Sequence, residues 1–317
     1  MPEFDLIQRH FVRATPSALL GIGDDAALLQ VGAGNVLAVS SDMLVSGTHF
    51  FPDADPFLLG HKTLAVNLSD MAAMGAVPRW ATLAISLPEE NEIWLERFSK
   101  GFFTLAQQFG VELIGGDTTR GPLNLSVTIM GEIPQDEALL RSGALQGDDI
   151  WVSGQLGNAA LALAHLNNRV ELSDAELSAC APALHQPQPR VALGMALRNI
   201  ANSAIDVSDG LLADLGHILA ASHAGALLDV TALPLSPAMI RLVPDPLVLQ
   251  CALSGGDDYE LCFTAHAGRQ EEILALSVKL GLPLSRIGKI VAGSGCIVHD
   301  AAGNPINVEP AGYDHFR

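Results

Sequence analysis

Apolar residues run almost unbroken from Leu64 to Ala76, LAVNLSDMAAMGA, too densely for a helix that shows one face to water. The stretch predicts the body of a buried helix, opened by Asp55 as N-cap with Pro56 at the first helical position and closed by Gly75. Asp70 interrupts it, with Asn67 one turn earlier on the same side. A bare carboxylate in such surroundings costs several kcal/mol, so it neutralises, finds a cation or holds a metal, unless it lies on a solvated stripe.

Around this helix the pattern alternates between short apolar runs and helical stretches. A short helix is predicted over Glu3 to Arg13, and an apolar strand after the glycines of GIGDDAALL. A buried strand starts at Val36 and ends in Ser40, Ser41 and Asp42, and a second strand starts at Trp80. Pro88, Glu89 and Glu90 open a helix that runs through Gln108 to Gly110. Another short strand empties into Gly115, Gly116 and Asp117, before the strand LNLSVTIMGEI. The second half opens with the strand DIWVSG and a helix led by Gly157, followed by a helix from Arg190. Gly210 opens a further helix, and a last helix lies near Glu271 to Leu280, with strands through Ile290 and Ile297. The Gly-rich polar link LLRSGALQGDD marks a boundary, giving domains over 1–143 and 144–317. The expected class is α/β (α+β) in two domains.

Composition narrows the chemistry. With 317 residues and 49% hydrophobic positions, each of two domains can bury a core of its own. A net charge of -18 with no basic run argues against a nucleic-acid partner. A small phosphate compound stays possible if divalent cations screen the two sets of negative charge. The four cysteines show no metal spacing and read as reduced thiols of a cytoplasmic protein. The first residues carry acids and no apolar segment, so no signal peptide is expected, and no apolar run approaches membrane-spanning length.

The remaining oddity is a series of aspartates framed by Gly, Ser or apolar residues: Asp24, Asp25, Asp42, Asp70, Asp117, Asp206 and Asp209. Each alone reads equally as a turn or cap residue. Together they fit Mg²⁺ ions gathered around a nucleotide triphosphate, since hard cations prefer oxygen ligands. In AIDVSDGLLADLGHI, the helix start at Gly210 offers free N–H groups for a phosphate while Asp206 and Asp209 hold metal. Arg141, beside Ser142 and Gly143, can clamp phosphate or simply lie on the surface. His49 reads as a substrate contact or as a hydrogen-bonded loop residue. The P-loop, protein-kinase, EF-hand, GxSxG and HExxH patterns are absent.

GIGDDAAL, VSSDMLVSGTHF, NLSDMAAMGA, IGGDTTRG, LLRSG, AIDVSDGLLADLGHI, SGGDDYELCF and GYDHF occur in this order from end to end of the chain. As a set they resemble the thiamine-monophosphate kinase family of the aminoimidazole-ribonucleotide-synthetase-like superfamily. The resemblance implies transfer of the γ-phosphoryl of ATP to thiamine monophosphate. It implies Mg²⁺ at Asp25, Asp42, Asp70, Asp117, Asp206 and Asp209, with Ser40 and Ser41 beside them. It places Asp24, Gly116, Arg141 and Ser208 toward ATP, and His49, Asp257 and Tyr313 toward thiamine monophosphate. At 257 the family pattern carries Glu where this chain has Asp. A homodimer that pairs its N-terminal sheets is implied as well. The alternatives are a sister enzyme of the superfamily acting on another substrate, and a non-catalytic metal or nucleotide sensor.

Overall fold

The structure is a computed structural model that describes residues 3–242, 246–306 and 308. The chain divides into two compact units, one formed by Met1–Met71 and Ala76–Asp136, the other by Ala72–Gly75 and Glu137–Arg317.

The first unit carries α1 (Glu3–His10), β1 (Asn35–Val45), α2 (Pro56–Ala73), β2 (Val77–Leu87), α3 (Glu92–Phe109), β3 (Glu112–Arg120) and β4 (Asn124–Pro134). Its sheet has the order β1-β4-β2-β3, antiparallel except for the β2/β3 pair that α3 connects. β4 alternates fully buried Leu125, Val127 and Ile129 with half-buried Ser126, Thr128 and Met130, the two-residue period of a sheet with one covered face. The helices contribute Leu64, Leu68, Met71, Phe98 and Phe102 to the buried set.

Helix α2 forms as its sequence predicts. Asp55 Oδ1 accepts N–H bonds from Phe57 (2.9 Å) and Leu58 (3.3 Å). Gly75 adopts φ 67° while Ala76 N–H bonds back to Met71 O, a helix stop that favours glycine. Four other elements differ from expectation. α3 begins at Glu92, because Asn91 supplies the cap by accepting from Trp94 N–H; Glu89 and Glu90 precede the helix. β1 continues through Ser40, Ser41 and Asp42, since these residues pair with Ile129, Thr128 and Val127 of β4 and the ladder carries the polar side chains along. β3 likewise continues through Asp117, which pairs with Ala84 of β2. Residues 26–29 make only the isolated Leu20–Leu28 bridge, not a strand.

The second unit carries β5 (Asp149–Ser153), α4 (Asn158–Leu166), α5 (Asp174–His185), α6 (Val191–Leu197), β6 (Ser203–Asp206), α7 (Leu211–Ser222) and β7 (Gly225–Asp229). It continues with α8 (Pro237–Leu242), α9 (Pro246–Ser254), β8 (Leu261–Ala265), α10 (Gln270–Leu280), β9 (Leu284–Val291), β10 (Gly295–His299) and β11 (Pro305–Ile306). Among the described residues its strands form one mixed sheet, β11-β10-β7-β9-β5-β8-β6. Ile150, Val152, Leu161, Leu211, Leu215, Ile218, Cys262 and Ile287 belong to one buried cluster. No helix among the described residues is long and apolar enough to cross a membrane.

Candidate active site

In the first unit the polar side chains meet where β1 lies against α2. Alternation along β1 turns Ser40, Asp42 and Leu44 to the less exposed side and Val39, Ser41 and Met43 outward. Ser40 Oγ donates a short 2.5 Å hydrogen bond to Asp70 Oδ2. Asn67 Oδ1 accepts from Asp42 N–H at 3.2 Å, and Asn67 Nδ2 donates to Thr63 O at 3.0 Å. The helix and strand therefore bring Ser40, Asp42, Asn67 and Asp70 together. Ser41 is on the other face, where its hydroxyl bonds Thr128 Oγ1 at 2.6 Å.

In the second unit the acidic turn is built from backbone bonds. Asp206 is the last residue of β6 and is buried, pairing in register with Leu261. Ser208 O accepts from Asp257 N–H at 2.8 Å, which seats the turn against the Gly255-Gly256-Asp257 segment. A Cβ on Gly256 would stand 2.5 Å from Ser208 O, so this approach requires glycine. Asp257 (φ 69°) and Tyr259 (φ 49°) both occupy the left-handed region, and Tyr259 Oη donates to Asp257 Oδ1 at 3.0 Å. Such conformations are costly for residues with a Cβ and collect at functional sites.

The neighbours of Asp257 have structural work. Both oxygens of Asp258 accept from Gly157 N–H (3.0 and 2.8 Å) at the start of α4, and burial pushes its carboxyl well above the usual range. Glu260 receives Arg190 through Nε (2.7 Å) and Nη2 (2.5 Å) and Ser153 Oγ at 2.5 Å. One expectation is corrected here. The N–H groups of Ser208, Asp209 and Gly210 all point to Asp214 Oδ2, at 3.0, 3.0 and 3.1 Å, and are not free for phosphate. A contact of Ser208 with a phosphate has to come from its hydroxyl. Burial, opposed by these same donors, pushes the Asp214 carboxyl up to about 7. Asp214 was legible as the acid four residues after Gly210, in the first turn of α7.

Other expected residues occupy separate places. Asp24 and Asp25 are exposed in an irregular segment where Asp24 Oδ1 accepts from Asp25 N–H at 2.9 Å. Asp117 is exposed on β3, next to Gly116, whose Cβ would fall 1.9 Å from Leu83 O. His49 Nδ1 accepts from Val45 N–H at 2.9 Å and closes the turn after β1. Arg141 is exposed, and its carbonyl accepts from Ser222 Oγ at 3.4 Å. Tyr313 lies outside the described residues. Among the described residues, no three His, Cys, Asp or Glu side chains group so as to hold a metal by themselves. The donors present are carboxylate and hydroxyl oxygens, which fit Mg²⁺, an ion that takes one or two protein carboxylates and completes its shell with water and substrate phosphates.

The chain matches the AIR synthase related protein N-terminal domain over residues 23–133 and the C-terminal domain of the same family over 146–301. It is 49% identical to the thiamine-monophosphate kinase of Escherichia coli, covering 99% of this chain and 98% of that protein. Identity to the Haemophilus influenzae thiamine-monophosphate kinase is 41%, over 100% and 98% of the two chains. The crystal structure of thiamine-monophosphate kinase from Stenotrophomonas maltophilia superposes with a TM-score of 0.87 at 51% identity, covering 96% of this chain and 98% of that one. AaThiL complexed with AMPPCP and TMP superposes with a TM-score of 0.79 at 30% identity, over 99% and 96%. This chain therefore belongs to the thiamine-monophosphate kinase family of AIR synthase related proteins.

Proposed function

We propose that the chain transfers the γ-phosphoryl group of ATP directly and in line to thiamine monophosphate, with Mg²⁺ held by its aspartates. The observation that carries the reading is the pair of oxygen-rich stations: Ser40, Asp42 and Asp70 in one unit, Asp206, Ser208 and Asp209 in the other. The residues read as Mg²⁺ ligands are Asp25, Asp42, Asp70, Asp117, Asp206 and Asp209, with Ser40 and Ser41 adjacent. Bound there, Mg²⁺ would neutralise the phosphate charge that keeps two polyanions apart.

The protein's own groups have a modest chemical task. The acceptor is a phosphate oxygen whose second ionisation lies near pH about 6, so it needs no strong base, and a covalent nucleophile is unnecessary. Ser40 holds the carboxylate of Asp70 in one orientation by its hydrogen bond. Asp24, Gly116, Arg141 and the Ser208 hydroxyl are assigned to ATP. His49, Asp257 and Tyr313 are assigned to thiamine monophosphate. For Asp257 the left-handed backbone and the Tyr259 hydroxyl fix the direction of a side chain shorter than the family's usual Glu.

The β1 face turned away from α2 supports a homodimer. Leu37, Val39 and Met43 are 42%, 58% and 53% exposed there, an apolar stripe suited to a second copy of the same sheet. Sedimentation of Val39→Glu should then report a shift toward monomer; an unchanged dimer would move the interface elsewhere. A cytoplasmic setting accords with four cysteines that form no disulfide. The activity is tested by ADP release with and without thiamine monophosphate. ADP formed one for one with thiamine diphosphate is expected, whereas release that depends on another compound, or on none, contradicts the reading.

A further inference from the structure

Three consecutive N–H groups directed at one point form a concavity that ordinarily receives an anion. In the 208–210 turn that place is taken by Oδ2 of Asp214, whose residue is only 3% exposed. A carboxylate is expensive to bury for the sake of folding alone, and an apolar residue in the first turn of α7 would fill the same space more cheaply. The other edge of the turn is tied down as well. Val207 N–H bonds Glu260 O, Tyr259 N–H bonds Val207 O, and Asp257 N–H bonds Ser208 O, each at 2.8 Å. The backbone carrying Asp206, Ser208 and Asp209 is thus fixed on one side by the segment 257–260 and on the other by a single carboxylate oxygen.

We propose that Asp214 is a positioning residue, an internal hydrogen-bond acceptor that occupies the amide concavity of the 208–210 turn and so aims the Asp209 side chain at its cation. The inference rests on the reading of Asp209 as a Mg²⁺ ligand. Asp214 touches neither nucleotide nor acceptor; it acts through the three amides. With the concavity filled from within, nucleotide phosphates meet this turn through the Asp209-held cation and the Ser208 hydroxyl and not through its backbone.

The test is calorimetric titration of Mg²⁺ into the full chain with a non-hydrolysable ATP analogue, read beside the Mg²⁺ dependence of ADP formation. Asp214→Ala is expected to raise the half-saturating Mg²⁺ concentration by about 10- to 100-fold, the usual cost of losing a group that orients a metal ligand. Asp214→Asn, whose amide oxygen can still accept N–H bonds, should stay within about threefold of wild type, a rescue that fits loss of orientation alone. Combined with Asp209→Asn, the Ala variant should add nothing, because both changes disable one ligand. If Asp214→Ala does not fold, Asp214→Glu, which displaces the carboxylate by one methylene, takes its place in the comparison. The proposal is overturned by an Ala or Glu variant with wild-type Mg²⁺ dependence, by an Asn variant as impaired as Ala, or by losses that multiply in the double variant. Should Asp209→Asn alone leave Mg²⁺ dependence unchanged, the metal assignment itself fails, and that result is told apart from a failure at Asp214.

Discussion

The two acidic stations gather carboxylate and hydroxyl oxygens by different construction. In the first unit the carboxylates ride on regular elements: Asp42 within β1, Asp70 in the last turn of α2, joined through Ser40 and Asn67. In the second unit they ride on an irregular turn between β6 and α7, whose shape comes from Asp214 and from the backbone of residues 257–260. A periodic element fixes a side chain by its own hydrogen-bond ladder, whereas a turn needs a buried polar group to hold it. Damage should therefore spread differently in the two places, and the same substitution has different meaning in each.

The largest effect is expected from removing the carboxylates. Asp70→Asn and Asp209→Asn should each cut turnover by about a hundredfold or more while the thermal midpoint stays within a few degrees, since each swap keeps side-chain volume. Steady-state kinetics beside a melting curve checks both; full activity in both variants would break the comparison. Next comes Ser40→Ala, which frees Asp70 from its hydroxyl partner. A hydrogen bond to a charged group is worth about 1.5 kcal/mol at the lower end of its range, so kcat/KM should fall by roughly tenfold, less than for Asp70→Asn. An equal or larger loss would mean that the hydroxyl itself is a ligand.

The smallest effect concerns stability in the first unit. His10 is buried, and burial first, then Arg9, holds its pKa below the ordinary value. The unfolded chain then binds the proton more readily, so this contribution is present above about pH 6.5 and is lost as the pH falls. His10→Gln should narrow the difference between melting midpoints at about pH 7.5 and pH 5.5 by about 1 °C. A difference as large as in wild type would assign the acid sensitivity to other groups.

Much of this was legible in the sequence where one local rule decides. The Asp55–Pro56 start and Gly75 stop of α2 followed from capping chemistry, and Gly210 opens α7 as expected. The motif set pointed to the family. What stayed hidden depends on pairing between distant segments. Ser40 to Asp42 looked like a strand end, and only the register with Ile129 to Val127 carries the strand through them. The N–H groups at Gly210 looked free because their partner, Asp214, is visible only once the first turn of α7 folds back on the loop. Asp258, next to Asp257 in the chain, caps α4 at Gly157, far off in sequence.

Each station is read as holding Mg²⁺ through its own carboxylates, and Mg²⁺ binding measured directly tests that reading. Calorimetric titration of Mg²⁺ into the protein with a non-hydrolysable ATP analogue should show affinity weakened by about tenfold or more in Asp70→Asn and in Asp209→Asn alike. Wild-type Mg²⁺ affinity in either variant would contradict it.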